Sequence, residues 1–164
     1  MIKLVPFELD HGKKLIEWSH SKEFLMQWAG PGFTYPLTME QLVEYNKVPS
    51  THAYSVVVDN KQVGHIALSK IDTQSRTARV GKVLVGEAAL RGKGIGETMM
   101  KQIVSIAFNE LGLNQVRLGV FDFNHSALAL YKKLGFELVT VVQHARQVGD
   151  EKWTLYEMLL TREA

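Results

Sequence analysis

Val83-Leu-Val-Gly-Glu-Ala-Ala-Leu-Arg-Gly-Lys-Gly-Ile-Gly96 is the stretch of this sequence that decides the fold. A β-branched run leads into it, glycines recur at every second position up to Gly96, and an amphipathic pattern follows. This order predicts a strand, a glycine loop and the N-terminus of a helix. Glycines let a backbone approach a ligand closely, and the unpaired N–H groups and dipole of a helix N-terminus attract anions. We therefore predict that the stretch binds the pyrophosphate of a coenzyme.

The composition limits the other possibilities. The chain has 164 residues, of which 46% are apolar and 22% charged, and this predicts a single domain over residues 1–164. No run approaches about 18 apolar residues and the N-terminus predicts a strand, so we expect a cytoplasmic location and no membrane partner. A formal charge of +2 is too small to indicate nucleic-acid binding. The lack of cysteine excludes disulfides and thiolate chemistry, and six histidines without a metal-binding motif predict no metal.

Residue periodicity predicts the remaining elements. Strands are predicted at 2–7, 53–59, 62–71, 77–85, 115–121, 136–147 and 151–161, the last two as a hairpin. Helices are predicted at 10–18, with Asp10 as the N-cap, and at 21–28, 38–47, 93–111 and 124–134. We expect an α+β fold in which a mixed, mostly antiparallel central sheet is flanked by helices on both faces.

The glycine stretch alone does not identify its ligand. A G-x-G-x-G run before a helix can also be a purely structural turn. A dinucleotide site needs G-x-G-x-x-G in a βαβ unit, whereas here Gly96 comes one residue early and the strands before the loop form a meander. A phosphate loop of the Walker type ends in Gly-Lys-Ser/Thr, and that pattern is absent.

A second motif lies downstream, in Val120-Phe-Asp-Phe-Asn-His-Ser-Ala-Leu-Ala-Leu-Tyr-Lys-Lys-Leu-Gly-Phe136. Together the two motifs resemble the GNAT superfamily of N-acetyltransferases. Arg91-Gly-Lys-Gly-Ile-Gly96 is similar to its acyl-CoA pyrophosphate motif, Q/R-x-x-G-x-G/A, and residues 124–136 match its N-x-x-A-x-x-x-Y-x-x-x-G-F pattern. The order of elements fits that fold over nearly the whole chain. Trp28…Pro36-Leu-Thr and Val83-Leu-Val85 further resemble the branch of ribosomal-protein alanine acetyltransferases.

The resemblance implies how acetyl-CoA would bind as a co-substrate. The strand predicted at 77–85 would separate from the strand predicted at 115–121. Its main chain would then hydrogen-bond the pantetheine arm at Val83, Leu84, Val85 and Gly86. The loop main chain would bind the pyrophosphate, at Gly92, Lys93, Gly94, Ile95 and Gly96. Arg91 and Lys93 would add positive charge, or else form only a solvated basic turn. Asn124 would contact the arm, although asparagine is also a favoured helix N-cap without any ligand.

By the same resemblance, Tyr131 is the catalytic acid that protonates the departing CoA thiolate. A phenol with a pKa near 10 can donate to a thiol with a pKa near 8.5 only if the site brings the two values together, and a core aromatic is the alternative. The amine would attack the thioester carbonyl directly, and a backbone N–H would stabilise the oxyanion. Such a reaction needs no nucleophilic residue, which suits a chain without cysteine.

The sequence does not single out a general base. Some family members place a glutamate in the strand before the loop, but Thr77–Val85 contains no acid. The other candidates are His65, Asp72, Glu87 and His144. Deprotonating a lysine ε-amine at pH 7 costs about 4.6 kcal/mol, whereas an α-amine costs about 1.1 kcal/mol. The missing base therefore favours an α-amine of a protein, peptide or small molecule as the acceptor.

The acceptor is expected beside the N-terminal helices and the loop at 30–36, where Trp28, Phe33 and Tyr35 could form an aromatic pocket. Trp18 and Phe24 are assigned instead to buried helix faces. Two other functions remain open, a catalytically inactive acyl-CoA sensor and a nucleotide-binding protein. The C-terminal strand pair offers an edge at which the chain could form a homodimer.

Overall fold

The computed structural model describes residues 1–163. Its strands are β1 (Ile2–Pro6), β2 (His52–Val58), β3 (Lys61–Asp72), β4 (Thr77–Val85), β5 (Gln115–Phe121), β6 (Glu137–Val148) and β7 (Glu151–Thr161). They form one sheet in the order β1-β2-β3-β4-β5-β7-β6. Neighbouring strands are antiparallel except β4 and β5, which run parallel. The predicted mixed, mostly antiparallel sheet is confirmed.

Helices cover both faces of this sheet, as predicted. They are α1 (Gly12–Trp18), α2 (Lys22–Ala29), α3 (Met39–Tyr45), α4 (Ile95–Ser105) and α5 (His125–Lys133). On one face α4 and α5 cover the larger core, in which Met99 packs with Leu118. On the other face α1, α2 and α3 surround a second core that includes Leu15, Leu42 and Leu84 of β4. Thus β4 contributes side chains to both cores.

The strands β4 and β5 separate soon after they begin. Thr77, Ala78 and Arg79 pair with residues 115–117, and the pairing stops there. At this fork the guanidinium of Arg79 donates two hydrogen bonds to the carboxylate of Glu157 in β7, at 2.7 and 2.9 Å. The C-terminal half of β4 therefore has main-chain groups that no strand satisfies on its β5 side. The resemblance implied this separation.

Two local predictions are wrong. The meander β2–β3–β4 is present, but it does not exclude a βαβ unit at the glycine loop as we expected. The strands β4 and β5 are parallel and are connected by α4, so they form such a unit. Asp10 is not an N-cap, because it lies inside a 3-10 turn at Leu9–His11 that precedes α1. That turn is closed by the Glu8 amide, which donates to Nδ1 of His11 at 3.0 Å.

The central helix is shorter than predicted. It begins at Ile95, directly after Gly94, whose φ of +82° belongs to the left-handed region. It ends at Ser105, and a π-helical turn at Ile106–Glu110 follows. Residues 91–94 are therefore loop. No helix within residues 1–163 has the length and apolar character needed to cross a membrane.

The strand β6 forms one edge of the sheet. Its exposed apolar side chains are Leu138, Val139, Val141 and Val142. An apolar edge strand is a template for pairing with another chain. The homodimer expected from the sequence stays a prediction.

Candidate coenzyme and acceptor site

A cleft of about 490 Å³ opens where β4 and β5 separate. The loop before α4, one side of α5 and one side of α2 complete its walls. The predicted site residues that line it are Val83, Leu84, Val85, Arg91, Gly92, Gly94, Gly96, Asn124 and Tyr131. The fold thus brings the two sequence motifs onto one surface.

The main chain of β4 presents alternate groups to this cleft. The Gly86 amide donates to the Val63 carbonyl of β3 at 2.8 Å. By the alternation of an antiparallel ladder, the main chain of Leu84 also points toward β3, whereas Val83 and Val85 point into the gap beside β5. The expected contact with a coenzyme arm therefore narrows from four residues to Val83 and Val85.

Three predicted residues lie beside the cleft without lining it. A Cβ on Gly86 would overlap the Trp18 indole, so this glycine permits close packing of a ring on the strand. The side chain of Ile95 is buried in the core under α4, while its main chain opens the helix. Lys93 is exposed in the loop.

The glycine loop has the geometry of an anion site. Gly92 and Gly94 have φ values of +78° and +82°, which side chains rarely adopt, and the space around both is open. Gly94 is the N-cap of α4, and the first main-chain bond of the helix runs from Thr98 to Gly94. Amides of the first turn are thus unpaired at the positive end of the helix dipole, which suits a phosphate.

Arg91 does not extend over the loop in this structure. Its Nε donates to the Val85 carbonyl at 2.9 Å, and its guanidinium lies 5.5 Å from the centroid of the Phe24 ring. The side chain therefore ties the loop back to β4 and α2. Its contact with phosphate stays a prediction.

A carboxylate also lies at the loop end of the cleft. Glu97 is in the first turn of α4, where its charge would oppose a bound anion. Lys101, four residues further along the helix, pairs with it at 3.0 Å, and Lys133 of α5 donates to it at 2.7 Å. Hydrogen bonds from Lys133 and Lys101 hold the pKa of Glu97 below its usual range. The two lysines offset the negative charge.

Asn124 and Tyr131 occupy one side of α5. The Oδ1 atom of Asn124 accepts from the Ala127 amide at 3.4 Å, so the residue caps the helix and lines the cleft at once. Tyr131 is 7% exposed, two turns further along. Burial raises the pKa of Tyr131 to about 12. Its hydroxyl is therefore protonated at neutral pH and able to donate a hydrogen bond.

His65, the first candidate base, is a core residue. It is fully buried, and its Nε2 lies 2.9 Å from the Tyr45 hydroxyl. Burial, together with the nearby charges of Lys82 and His11, lowers the pKa of His65 to about 3. An imidazole of such low basicity, away from the cleft, is unsuited to removing a proton from an amine.

The other candidate bases also lie outside the cleft. The carboxylate of Asp72 accepts from the Ser75 amide at 3.2 Å within the β3–β4 turn. Glu87 lies 3.9 Å from Lys14, and His144 is exposed on β6. The structure therefore supplies no general base from the set considered.

The predicted aromatic pocket is only partly assembled. Trp28 lines the coenzyme cleft, and its ring lies 6.1 Å from that of Phe33. Tyr35 is exposed and donates to the His20 carbonyl at 3.2 Å, so it forms no wall with Trp28. Phe24, expected to be buried, instead lines the cleft.

Sequence reasoning missed Lys82. It lines a narrow gap of about 60 Å³ between β4 and β5, which Asn124 and Tyr131 also line. A lysine between Gly81 and Val83 in β4 was the available signal, but the direction of its side chain depends on a left-handed φ of +49° that no pattern indicates. Among residues 1–163 no three His, Asp or Glu side chains cluster as metal ligands would.

Comparison with known proteins gives one family match and several relatives. Residues 17–136 match the model of the acetyltransferase (GNAT) family. The chain is 26% identical over 159 residues to an N-acetyltransferase 9-like protein of Caenorhabditis briggsae, covering 90% of this chain and 80% of that protein. It is 29% identical over 132 residues to an N-alpha-acetyltransferase of Saccharolobus solfataricus, covering 75% and 76%. A shorter match, 30% over 84 residues, covers 49% of the chain and 50% of the L-amino acid N-acetyltransferase AaaT of Escherichia coli.

Solved structures agree with this fold. Spermidine N-acetyltransferase from Vibrio cholerae, in complex with CoA and spermine, superposes with a TM-score of 0.84 and covers 98% of this chain and 95% of its own. At 20% identity this likeness shows the fold alone. The narrower resemblance to ribosomal-protein alanine acetyltransferases is not confirmed by these relatives and stays a prediction.

Proposed function

Because this chain belongs to the acetyltransferase (GNAT) family, we propose that it transfers the acetyl group of acetyl-CoA directly to a primary amine, with an α-amine favoured. The cleft at the separated strands carries this proposal. It places main chain of β4 that no neighbouring strand pairs, an open helix N-terminus and the Tyr131 side chain around one space. These three features match the three parts of the co-substrate, namely the arm, the pyrophosphate and the thioester.

Each part of acetyl-CoA has a proposed partner. The main chain of Val83 and Val85 would hold the pantetheine arm as an added strand. First-turn amides of α4 would hold the pyrophosphate. Asn124 and Tyr131 would then lie beside the arm and the thioester at the far side of the gap.

The reaction is a direct displacement. The amine nitrogen attacks the acetyl carbonyl carbon, the new C–N bond forms, and the C–S bond of the thioester breaks. The nitrogen releases one proton to water and the CoA thiolate gains one, so the products are an amide and a free thiol. Holding amine and thioester together in this way can lower the barrier by about 7–11 kcal/mol.

Tyr131 is proposed to act as a hydrogen-bond donor to the departing sulfur. Burial raises the pKa of Tyr131 to about 12, whereas an ordinary thiol has a pKa near 8.5. Complete proton transfer from this phenol to the thiolate would therefore cost about 5 kcal/mol. A hydrogen bond to the developing charge avoids that cost, and water then supplies the proton to the thiolate.

An α-amine is the favoured acceptor because the cleft offers no base from the set considered. A weakly basic amine is already partly free at neutral pH, whereas a lysine ε-amine is not. Two relatives, whose names describe them as an N-alpha-acetyltransferase and an L-amino acid N-acetyltransferase, support the same class.

Ligand-induced stabilisation and thiol release test this proposal together. A ligand at 100 times its Kd should add about 2.7 kcal/mol to the free energy of unfolding, and we expect this shift from CoA but not from NAD or ATP. Transfer is then followed by the free thiol of CoA, and a chain without cysteine contributes no background to that measurement. Stabilisation by NAD or ATP alone would contradict the proposal.

The second candidate function is an acyl-CoA sensor without catalysis. The lack of an acid in β4 is its one supporting observation. The sensor predicts tight CoA binding and no thiol release with any amine, including peptides with a free α-amine. The enzyme predicts thiol release that depends on the amine.

A further inference from the structure

A bulge in β4 turns the side chain of Lys82 toward the α1–α3 face. The register with β3 shifts between His65 and Ala67, and Lys82 has a φ of +49°. Val80 and Val83 both pack into the core under α4, although they are three residues apart and simple alternation would place them on opposite faces. Lys82, with its left-handed φ, is the extra residue of β4 at this bulge. Bulges of this kind often direct a side chain into a functional site.

The ammonium group of Lys82 lies among aromatic rings. Its Nζ is 5.1 Å from the centroid of Tyr45 and 5.2 Å from that of Phe33. Burial lowers the pKa of Lys82. Among residues 1–163 no carboxylate oxygen lies within 4.0 Å of it. Ring faces attract a cation, but they leave its three N–H donors without strong acceptors.

Lys82 lies at the junction of two cavities. One, of about 570 Å³, lies beside α3 and is also lined by Phe33 and Tyr45. The other is the narrow gap shared with Tyr131, where the thioester is proposed to lie. An acceptor that enters through the first cavity and reacts in the second must therefore pass this ammonium.

Two acids line the same wider cavity. Glu40 and Glu44 are both exposed on α3, and Glu44 lies 3.3 Å from Lys47. Water screens charges at such exposed positions. The half-buried Lys82 is therefore the charge that an acceptor meets inside the cavity.

Resting on the proposed acetyl transfer, we propose that the acceptor is a free α-amino acid and that its carboxylate binds Lys82. The carboxylate supplies the acceptor oxygens that the ammonium lacks in the aromatic enclosure. In an α-amino acid the amine is attached to the carbon next to the carboxylate, so fixing the carboxylate at Lys82 directs the amine into the gap beside Tyr131. A protein or peptide N-terminus has an amide at that position and cannot form the ion pair.

Acceptors that differ only in this group test the proposal. We would compare leucine, leucinamide and 3-methylbutylamine, and the matching series from phenylalanine, by thiol release from acetyl-CoA. A charge-assisted hydrogen bond predicts a kcat/KM about 10-fold to 100-fold higher for the amino acid than for its amide. The amide has the more weakly basic amine, so amine basicity alone predicts the opposite order.

A variant of Lys82 tests whether the preference for the amino acid over its amide depends on the charge of this lysine. Lys82→Met keeps a similar length without charge and should reduce the kcat/KM ratio of amino acid to amide to one or below, mainly through KM, because only amine basicity then distinguishes the two acceptors. Lys70→Met is the matched control, because Lys70 is an exposed lysine of β3 that also has a left-handed φ, of +50°. The control should leave the ratio unchanged.

The outcomes separate this inference from the proposed function. If amides or simple amines are acetylated as well as the amino acids, or if Lys82→Met retains the preference, the inference is overturned while acetyl transfer stands. If CoA binds and no amine of any class is acetylated, the proposed function itself fails. If Lys82→Met does not fold, the comparison of amino acid, amide and simple amine with the unmodified protein still tests the inference.

Discussion

On the coenzyme side of the cleft, the proposed contacts with the arm and the pyrophosphate come mainly from the main chain of Val83, Val85 and the glycine loop, and Asn124 and Tyr131 add two side chains from the start and the middle of α5. On the acceptor side they come from side chains, those of Trp28, Phe33 and Lys82, which three separate elements bring together. The main-chain contacts lie within residues 83–96. The acceptor-side contacts span α2, the following loop and a bulge in β4.

This difference separates what is general from what is specific. Under the proposed function, main-chain groups would bind a feature that every acyl-CoA has, so the residues around them would need only to keep the backbone open and correctly bent. Side chains select among acceptors, and they can change without altering the strand or the helix N-terminus. The sequence motifs on the coenzyme side therefore identify the family, whereas the identity of the acceptor depends on side chains on the acceptor side.

The largest effect is expected from filling the anion site. Gly94→Glu places a side chain at a φ of +82° and a negative charge at the N-cap of α4. Loss of two or more charge-assisted hydrogen bonds to phosphate should weaken CoA binding by about 1,000-fold, measured by calorimetry. Gly112→Glu, at a glycine with a φ of +66° outside the cleft, controls for backbone strain. Equal losses in both variants would show strain and not charge as the cause.

A smaller loss is expected from removing the Tyr131 hydroxyl. Tyr131→Phe should lower kcat by about 10-fold to 100-fold, which corresponds to the free energy of one hydrogen bond to a charged group, while KM for acetyl-CoA changes little. The effect should persist from pH 7 to pH 10, because a pKa of about 12 keeps the hydroxyl protonated over that range. Tyr35→Phe, which removes an exposed hydroxyl, is the matched control. An unchanged kcat would exclude Tyr131 from catalysis.

The two sides also differ in how well the sequence predicted them. Glycine spacing and the residue pattern at 124–136 are local, and the residues they single out, among them Gly94, Asn124 and Tyr131, line one cleft in the structure. The alternation of β4 was local as well, yet it could not distinguish Val83 and Val85 from Gly86. That distinction depends on which neighbour takes each amide, and Gly86 donates to Val63 of β3.

On the acceptor side the informative features are tertiary. The direction of Lys82 follows from a register shift against β3, and the burial of His65 follows from packing by Phe7, Trp28 and Tyr45. A histidine in a strand looks the same in a sequence whether it is a base or a core residue. Its pKa separates the two, and burial sets that value.

The core on the acceptor side should be sensitive to acid. His65 has a pKa of about 3 in the folded chain and near 6.5 when unfolded, so the unfolded state binds the extra proton between these values. Stability from this group is complete above pH 6.5 and is lost as the pH falls toward 3. Between pH 7 and pH 4.5 the loss should be about 2–3 kcal/mol by urea unfolding. His65→Phe should abolish this component, while His52→Gln, at an exposed histidine, should retain it.

The smallest effect is expected at the fork where β4 leaves β5. Arg79→Met breaks the two hydrogen bonds to Glu157, but both side chains are partly exposed, so the loss of stability should be about 1 kcal/mol. A double-mutant cycle with Glu157→Met isolates the pair, and Lys47→Met, at an exposed ion pair, gives the matched baseline. If CoA binding at β4 depends on the main chain and not on the Arg79–Glu157 pair, Arg79→Met should change the affinity for CoA by less than about threefold. A larger loss of affinity would mean that this side of the cleft also depends on a side-chain pair, so that the two sides differ in degree and not in kind.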